Sequence, residues 1–131
     1  MTQLSHLFSP LRIGRMEVQN RIMLPGMSAG QMLDENGHPT DEMIAYFAER
    51  AKARPGLMAI GASAVVPPDV RQTHPLCLYA DDMIPSIKRL VDAIHQYDTK
   101  FGIQLWNGGV QASEAVKLSP SGIGPNGKPV M

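Results

Sequence analysis

Asn20-Arg21-Ile22-Met23-Leu24-Pro25-Gly26-Met27-Ser28 is the stretch from which the rest of the chain can be read. A polar turn leads into an apolar run of strand length, Ile22 to Leu24, and the exit is rich in small residues. A short, continuously hydrophobic run suits a strand buried on both faces, as in a parallel sheet. Pro25-Gly26 then predicts a break, because proline removes a backbone donor and glycine frees the backbone. Backbone laid bare at the C-terminal end of a buried parallel strand is where α/β folds put their ligands.

On the N-terminal side, Ile13-Gly14-Arg15-Met16 offers a tight turn between two short extended pieces, which predicts a hairpin. On the C-terminal side a long loop follows, in which Asn36-Gly37 signals a turn. Thr40 is the expected N-cap of a helix, with Asp41 and Glu42 favoured in its first turn. Met43, Ile44, Phe47, Ala48 and Ala51 share one face of that helix, and Pro55-Gly56 stops it. Leu57 to Ala62 reads as a second buried strand, and Val70 to Ala80 as irregular chain. Asp81-Asp82 is the expected cap of a second helix, with Pro85 in its first turn and Ile84, Ile87, Leu90, Val91 and Ile94 as its buried stripe. Phe101 to Trp106 is a third strand, ending at Asn107-Gly108-Gly109. Strands alternating with amphipathic helices imply right-handed parallel βαβ units. Such an α/β order fits a barrel or an open sheet equally well.

The bulk properties narrow the partners. The 131 residues suffice for one ordinary domain. Twelve basic and twelve acidic residues balance to zero, which leaves no electrostatic footprint for nucleic acid or an anionic membrane. No apolar run approaches the ~20 residues of a membrane span. The single cysteine, Cys77, excludes an intramolecular disulfide and fits a reducing compartment. Met1 to His6 lacks a basic region followed by an apolar core, so a cytoplasmic protein is the expectation. Four scattered histidines and one cysteine do not make a metal site.

Several motifs in register carry a resemblance. Leu7-Phe8-Ser9-Pro10-Leu11-Arg12-Ile13-Gly14 followed by Asn20-Arg21-Ile22 and Met27 resembles the opening of the Old Yellow Enzyme family. The likeness continues through Gly56 to Val65, Gly102 to Gly109 and Ser119-Pro120-Ser121, and so spans almost the whole chain. These are FMN-dependent NAD(P)H:flavin oxidoreductases, among them ene-reductases and the 2,4-dienoyl-CoA reductase branch. The resemblance implies the N-terminal part of a TIM (β/α)8 barrel with an N-terminal β-hairpin that caps the barrel bottom. Such barrels take ~250 residues, so residues 1–131 are expected to be an incomplete portion of a single FMN-binding barrel.

The resemblance also implies a cofactor site. Pro25, Gly26 and Met27 match the segment that lies along the flavin. Ser28 matches a position whose side chain contacts the ring, and Ala62 a small residue whose backbone does. Gln104 matches the glutamine that hydrogen-bonds the pyrimidine edge, where a group that both donates and accepts is needed. Small residues at the three strand exits are what close approach of a flat ring requires. Relatives often read His-x-Gly-Arg where this chain has Asn107-Gly108-Gly109-Val110, and an aromatic substrate contact of some relatives falls near Gly30 here. The family's substrate-binding His/Asn or His/His pair, tyrosine proton donor and phosphate site lie beyond Met131, so the catalytic residues stay unknown.

The resulting expectation is FMN-mediated hydride transfer from NAD(P)H to a small-molecule substrate, an activated alkene such as an enone, enoate or dienoyl thioester. The alternatives are a non-catalytic half-barrel that needs the rest of the barrel, and a different phosphate-binding barrel enzyme with a merely structural Gln104. A homo-oligomer and pairing with the missing barrel half both remain open. Plainer roles compete at each residue. Gln104 as a polar strand end bonded to neighbouring backbone, Ser28 as a loop cap, Met27 as core filler, Trp106 as packing under the helices and Cys77 as an incidental residue of a polar loop are all compatible with the sequence.

Overall fold

Residues 4–28, 30–67, 75–109, 120–123 and 127–129 are described by the computed structural model. Expectations resting on 68–74, Val110, Ser119, Pro125, Asn126, Val130 and Met131 lie outside them.

The N-terminal hairpin forms as expected. Strands β1 (Leu11–Ile13) and β2 (Met16–Val18) pair antiparallel, with Ile13 opposite Met16. Gly14 makes the turn at φ +59°, a left-handed conformation that costs glycine little. The two halves of the opening motif are bonded together: Arg21 N–H donates to Leu7 O at 2.9 Å and Arg21 Nε to Ser9 Oγ at 3.2 Å.

The main sheet is parallel. Strand β4 (Leu57–Ala64) lies between β3 (Met23–Met27) and β6 (Lys100–Trp106). Helix α1 (Asp41–Ala51) connects the first pair and α2 (Ile84–His95) the second. Thr40 caps α1 in extended backbone (φ −79°, ψ 169°), its Oγ1 accepting from Met43 N–H at 3.4 Å and donating to Met32 O at 2.7 Å. Thr40→Ala is expected to lower stability by about 1 kcal/mol in urea denaturation. An unchanged midpoint would mean that Asp41 and Glu42 hold the helix start unaided.

Both helices cover the same face of the sheet. Met43, Phe47 and Ala51 of α1 and Leu90 and Ile94 of α2 form one buried cluster with Met58 and Ile60 of β4 and Leu76. Leu24, Phe101 and Ile103 pack against it from the flanking strands. Sequential neighbours with all crossovers on one side exclude the order in which the first strand sits between the second and third.

Four expectations are corrected. Strand β3 is not buried on both faces: Met23 is 52% and Met27 47% exposed. Among the described residues it pairs only with β4, and only its Leu24 side meets the helix-covered core. Pro25-Gly26 does not end the strand but lies within it, at a register shift between Leu24 and Met27. Proline is tolerated there because a bulge position needs no amide donor in the ladder. Asp81 and Asp82 do not cap α2 through their side chains; they form a 3₁₀ turn, Asp81–Met83, that leads into it. Met83 at the end of that turn is buried, 4% exposed, and Ile84 is 59% exposed. Finally, Cys77 is buried in a two-residue strand β5 (Leu76–Cys77) paired with Ser63 and Ala64. Two residues are too short a run for a periodicity to show.

The lower rim, at the N-terminal ends of the strands, is clamped by side chains of the hairpin exit. Asn20 Oδ1 accepts from Gly56 N–H at 2.8 Å and Ile22 N–H at 3.0 Å, and Asn20 Nδ2 donates to Arg54 O at 2.8 Å. Gln19 Nε2 donates to Arg54 O at 3.3 Å and Asp98 O at 3.1 Å. Arg54 (φ 53°) and Asp98 (φ 56°) occupy equivalent places in the two helix-to-strand loops, both left-handed. One amide thus reads the same turn twice, and the hairpin is fixed beneath β4.

Candidate functional site

The opposite rim is formed by the C-terminal ends of β3, β4 and β6. Side chains alternate along a strand, so Gly61, following the core residue Ile60, faces away from the helices, as does Gln104 after Ile103. By alternation alone Gly26 would share the helix-side face of Leu24. The register shift in β3 turns it to the other face, where it meets Gln104. A Cβ built on Gly26 would stand 3.1 Å from Gln104 Oε1, and one built on Gly61 would lie under 3.0 Å from the same oxygen. The Gln104 side chain therefore reaches across β4 toward β3 over a floor of two glycines.

That carboxamide makes no protein hydrogen bond among the described residues, and Gln104 is exposed. The plainer reading, a polar strand end bonded to neighbouring backbone, is not what the geometry shows. Its donor and acceptor both stay available to a ligand. Around it, Pro25, Gly26, Met27 and Ser28 are exposed, and Ala62 is half-buried on β4. Met27 is 47% exposed. No ionisable side chain is among these residues, so the surface they form is uncharged and suits a flat, largely apolar ring.

The rest of the rim is closed locally. Asn107 Oδ1 accepts from Gly109 N–H at 2.7 Å, with Gly109 at φ +56°. This side-chain turn occupies the place where relatives often carry histidine and arginine. Cys77 N–H donates to Gly37 O at 3.1 Å, and Gly37 (φ +81°) has no room for a Cβ against Cys77 Sγ. Burial pushes the Cys77 thiol up, partly offset by a hydrogen bond with Tyr79, and its buried Sγ donates to Pro75 O at 3.6 Å. Among the described residues no group of three or more His, Cys, Asp or Glu could hold a metal ion, and no helix is long and apolar enough to cross a membrane.

Sequence reading missed Gly61, Gln19 and Asn20. Gly61 was legible only as one small residue among several, and Asn20 only as part of a polar turn.

Comparison with known proteins bears on the family and the fold. Residues 6–129 match the NADH:flavin oxidoreductase / NADH oxidase family. The chain is 33% identical over 109 residues to an NADPH dehydrogenase of Listeria monocytogenes serotype 4a (strain HCC23), which covers 83% of this chain and 32% of that protein. It is 31% identical over 119 residues to a metal reductase of Desulforamulus reducens, covering 90% of this chain and 17% of that one. The Old Yellow Enzyme from Pichia sp. AKU4542 superposes with a TM-score of 0.73 at 27% identity, over 82% of this chain and 28% of that one. The Trypanosoma cruzi old yellow enzyme, at 24% identity and a TM-score of 0.74, shows the same fold. The chain spans about a third of the length of the NADPH dehydrogenases it matches. These likenesses resolve the choice between barrel and open sheet: β3, β4 and β6 are the first three strands of a (β/α)8 barrel, and the hairpin lies across its lower end. The chain belongs to the NADH:flavin oxidoreductase / NADH oxidase family, as the N-terminal part of an Old Yellow Enzyme barrel.

Proposed function

We propose that this chain forms the ring-facing wall of an FMN site in a single barrel that oxidises NAD(P)H and reduces an activated alkene, such as an enone, enoate or dienoyl thioester. The observation that carries the reading is the free carboxamide of Gln104 laid over Gly26 and Gly61 at the strand ends. The residues fit the group: the glycines leave a floor with no side chain, and the amide above it offers a donor and an acceptor together. FMN, when bound, supplies the hydride chemistry.

The residues of this chain bind and orient. Gln104 Nε2 would donate and Oε1 would accept at the pyrimidine edge, where a donor favours the negatively charged, reduced form. Gly26 and Gly61 leave room for the Gln104 amide, which would meet the ring from above them. Pro25, Met27, Ser28 and Ala62 would line its sides. The proton donor and the phosphate anchor are not among these residues. NADPH as the reductant is supported by the names of the Listeria relatives.

Gln104→Ala in the full-length protein is expected to weaken FMN binding about tenfold, the loss of roughly one to two net hydrogen bonds. Fluorescence titration of FMN measures it. Wild-type affinity in that variant, or a wild-type protein that binds no FMN, would overturn the reading.

A further inference from the structure

Among the described residues no hydrogen bond fixes where the Gln104 amide lies. We infer that Gly61 is the positioning residue for Gln104: its missing side chain is the slot that lets the carboxamide cross β4 and stand over β3. The inference rests on the flavin reading above.

The distances distinguish Gly61 from the other glycines. A Cβ there would fall under 3.0 Å from Gln104 Oε1 and 3.2 Å from Cδ, whereas its nearest backbone neighbour, the Gly26 carbonyl carbon, stands at 3.4 Å, an ordinary contact. Gly26 is milder, at 3.1 Å and 3.6 Å from the same two atoms. Gly61 is not left-handed, so its backbone conformation does not demand glycine. What demands it is the amide. Because the atom in the way is the end of a flexible, exposed side chain, alanine at 61 will fold and will push the amide aside. The amide then no longer presents its donor and acceptor to the ring edge.

The experiment is a double-mutant cycle in the full-length polypeptide with Gly61→Ala, Gln104→Ala and the pair. FMN affinity, the midpoint potential of bound FMN and the urea midpoint are read for each. Gly61→Ala is expected to weaken FMN binding about tenfold and to move the potential negative, in the direction Gln104→Ala moves it. The pair should bind no worse than Gln104→Ala alone, and the urea midpoint of Gly61→Ala should stay at the wild-type value. Additive losses in the pair would overturn the inference, since they would mean that the new methyl meets the ring directly. Wild-type FMN binding in Gly61→Ala would also overturn it, as would failure of that variant to fold, which would show that the methyl meets something less yielding than a side chain. If Gln104→Ala alone binds FMN as the wild type does, the flavin reading itself fails, and that outcome is distinct from the others. Gly26→Ala provides a graded check, with a smaller effect in the same direction.

Discussion

Gly56→Ala is expected to destabilise the chain by about 3 kcal/mol or more, the upper part of the range for forcing a methyl into a packed site. A Cβ at Gly56 would fall under 3.0 Å from the backbone oxygen of Asn20 and 3.1 Å from Val18 Cβ. Neither neighbour can step aside. Val18 is 3% exposed at the end of β2, and Asn20 is held by three side-chain hydrogen bonds, to Gly56, Ile22 and Arg54. Making room means lifting the hairpin away from β4 and losing bonds worth about 1 kcal/mol each. Urea denaturation against the parent measures the loss. A variant as stable as its parent would show the hairpin to be loosely seated. The contrast with Gly61 is physical: both positions are equally crowded, but one faces fixed backbone and the other a movable amide.

Phe47→Ala is expected to cost about 3–5 kcal/mol, the range for deleting a buried aromatic side chain. Phe47 is 1% exposed in the cluster that joins both helices to β4. Its ring meets Phe101 of β6 edge-on, with centroids 6.3 Å apart and planes at 67°, and Tyr46 at 5.3 Å and 76°. Removing it leaves a void between α1 and the sheet and unties the helix from the third parallel strand. Phe47→Leu, which keeps most of the volume, is expected to lose much less. Denaturation midpoints of the two variants provide the comparison; equal losses would mean that the aromatic contacts and not the volume carry the energy.

Legibility followed the range of the interactions. Helix α1 was readable because its determinants are local: Thr40 ahead of it, two acids in its first turn, and Met43, Phe47 and Ala51 at helical spacing. The hairpin was readable for the same reason, since Gly14 alone permits its turn. Register and facing were not. That Pro25-Gly26 bulges within β3 and that Cys77 pairs with Ala64 each depend on a neighbour distant in sequence. Of the site, the residue types at the strand ends could be named, and the resemblance pointed to Gln104. The crowding of Gly61 against the Gln104 amide could not be named. The sequence alone determined the alternation of strands and helices and the small, uncharged character of the three strand exits, because helix period, caps and turn residues act over a few positions. Only the tertiary structure decided that the strands run side by side in barrel order, and that one amide reaches over two glycines from another strand. Such contacts exist only once the sheet has brought distant residues to within a side chain's length.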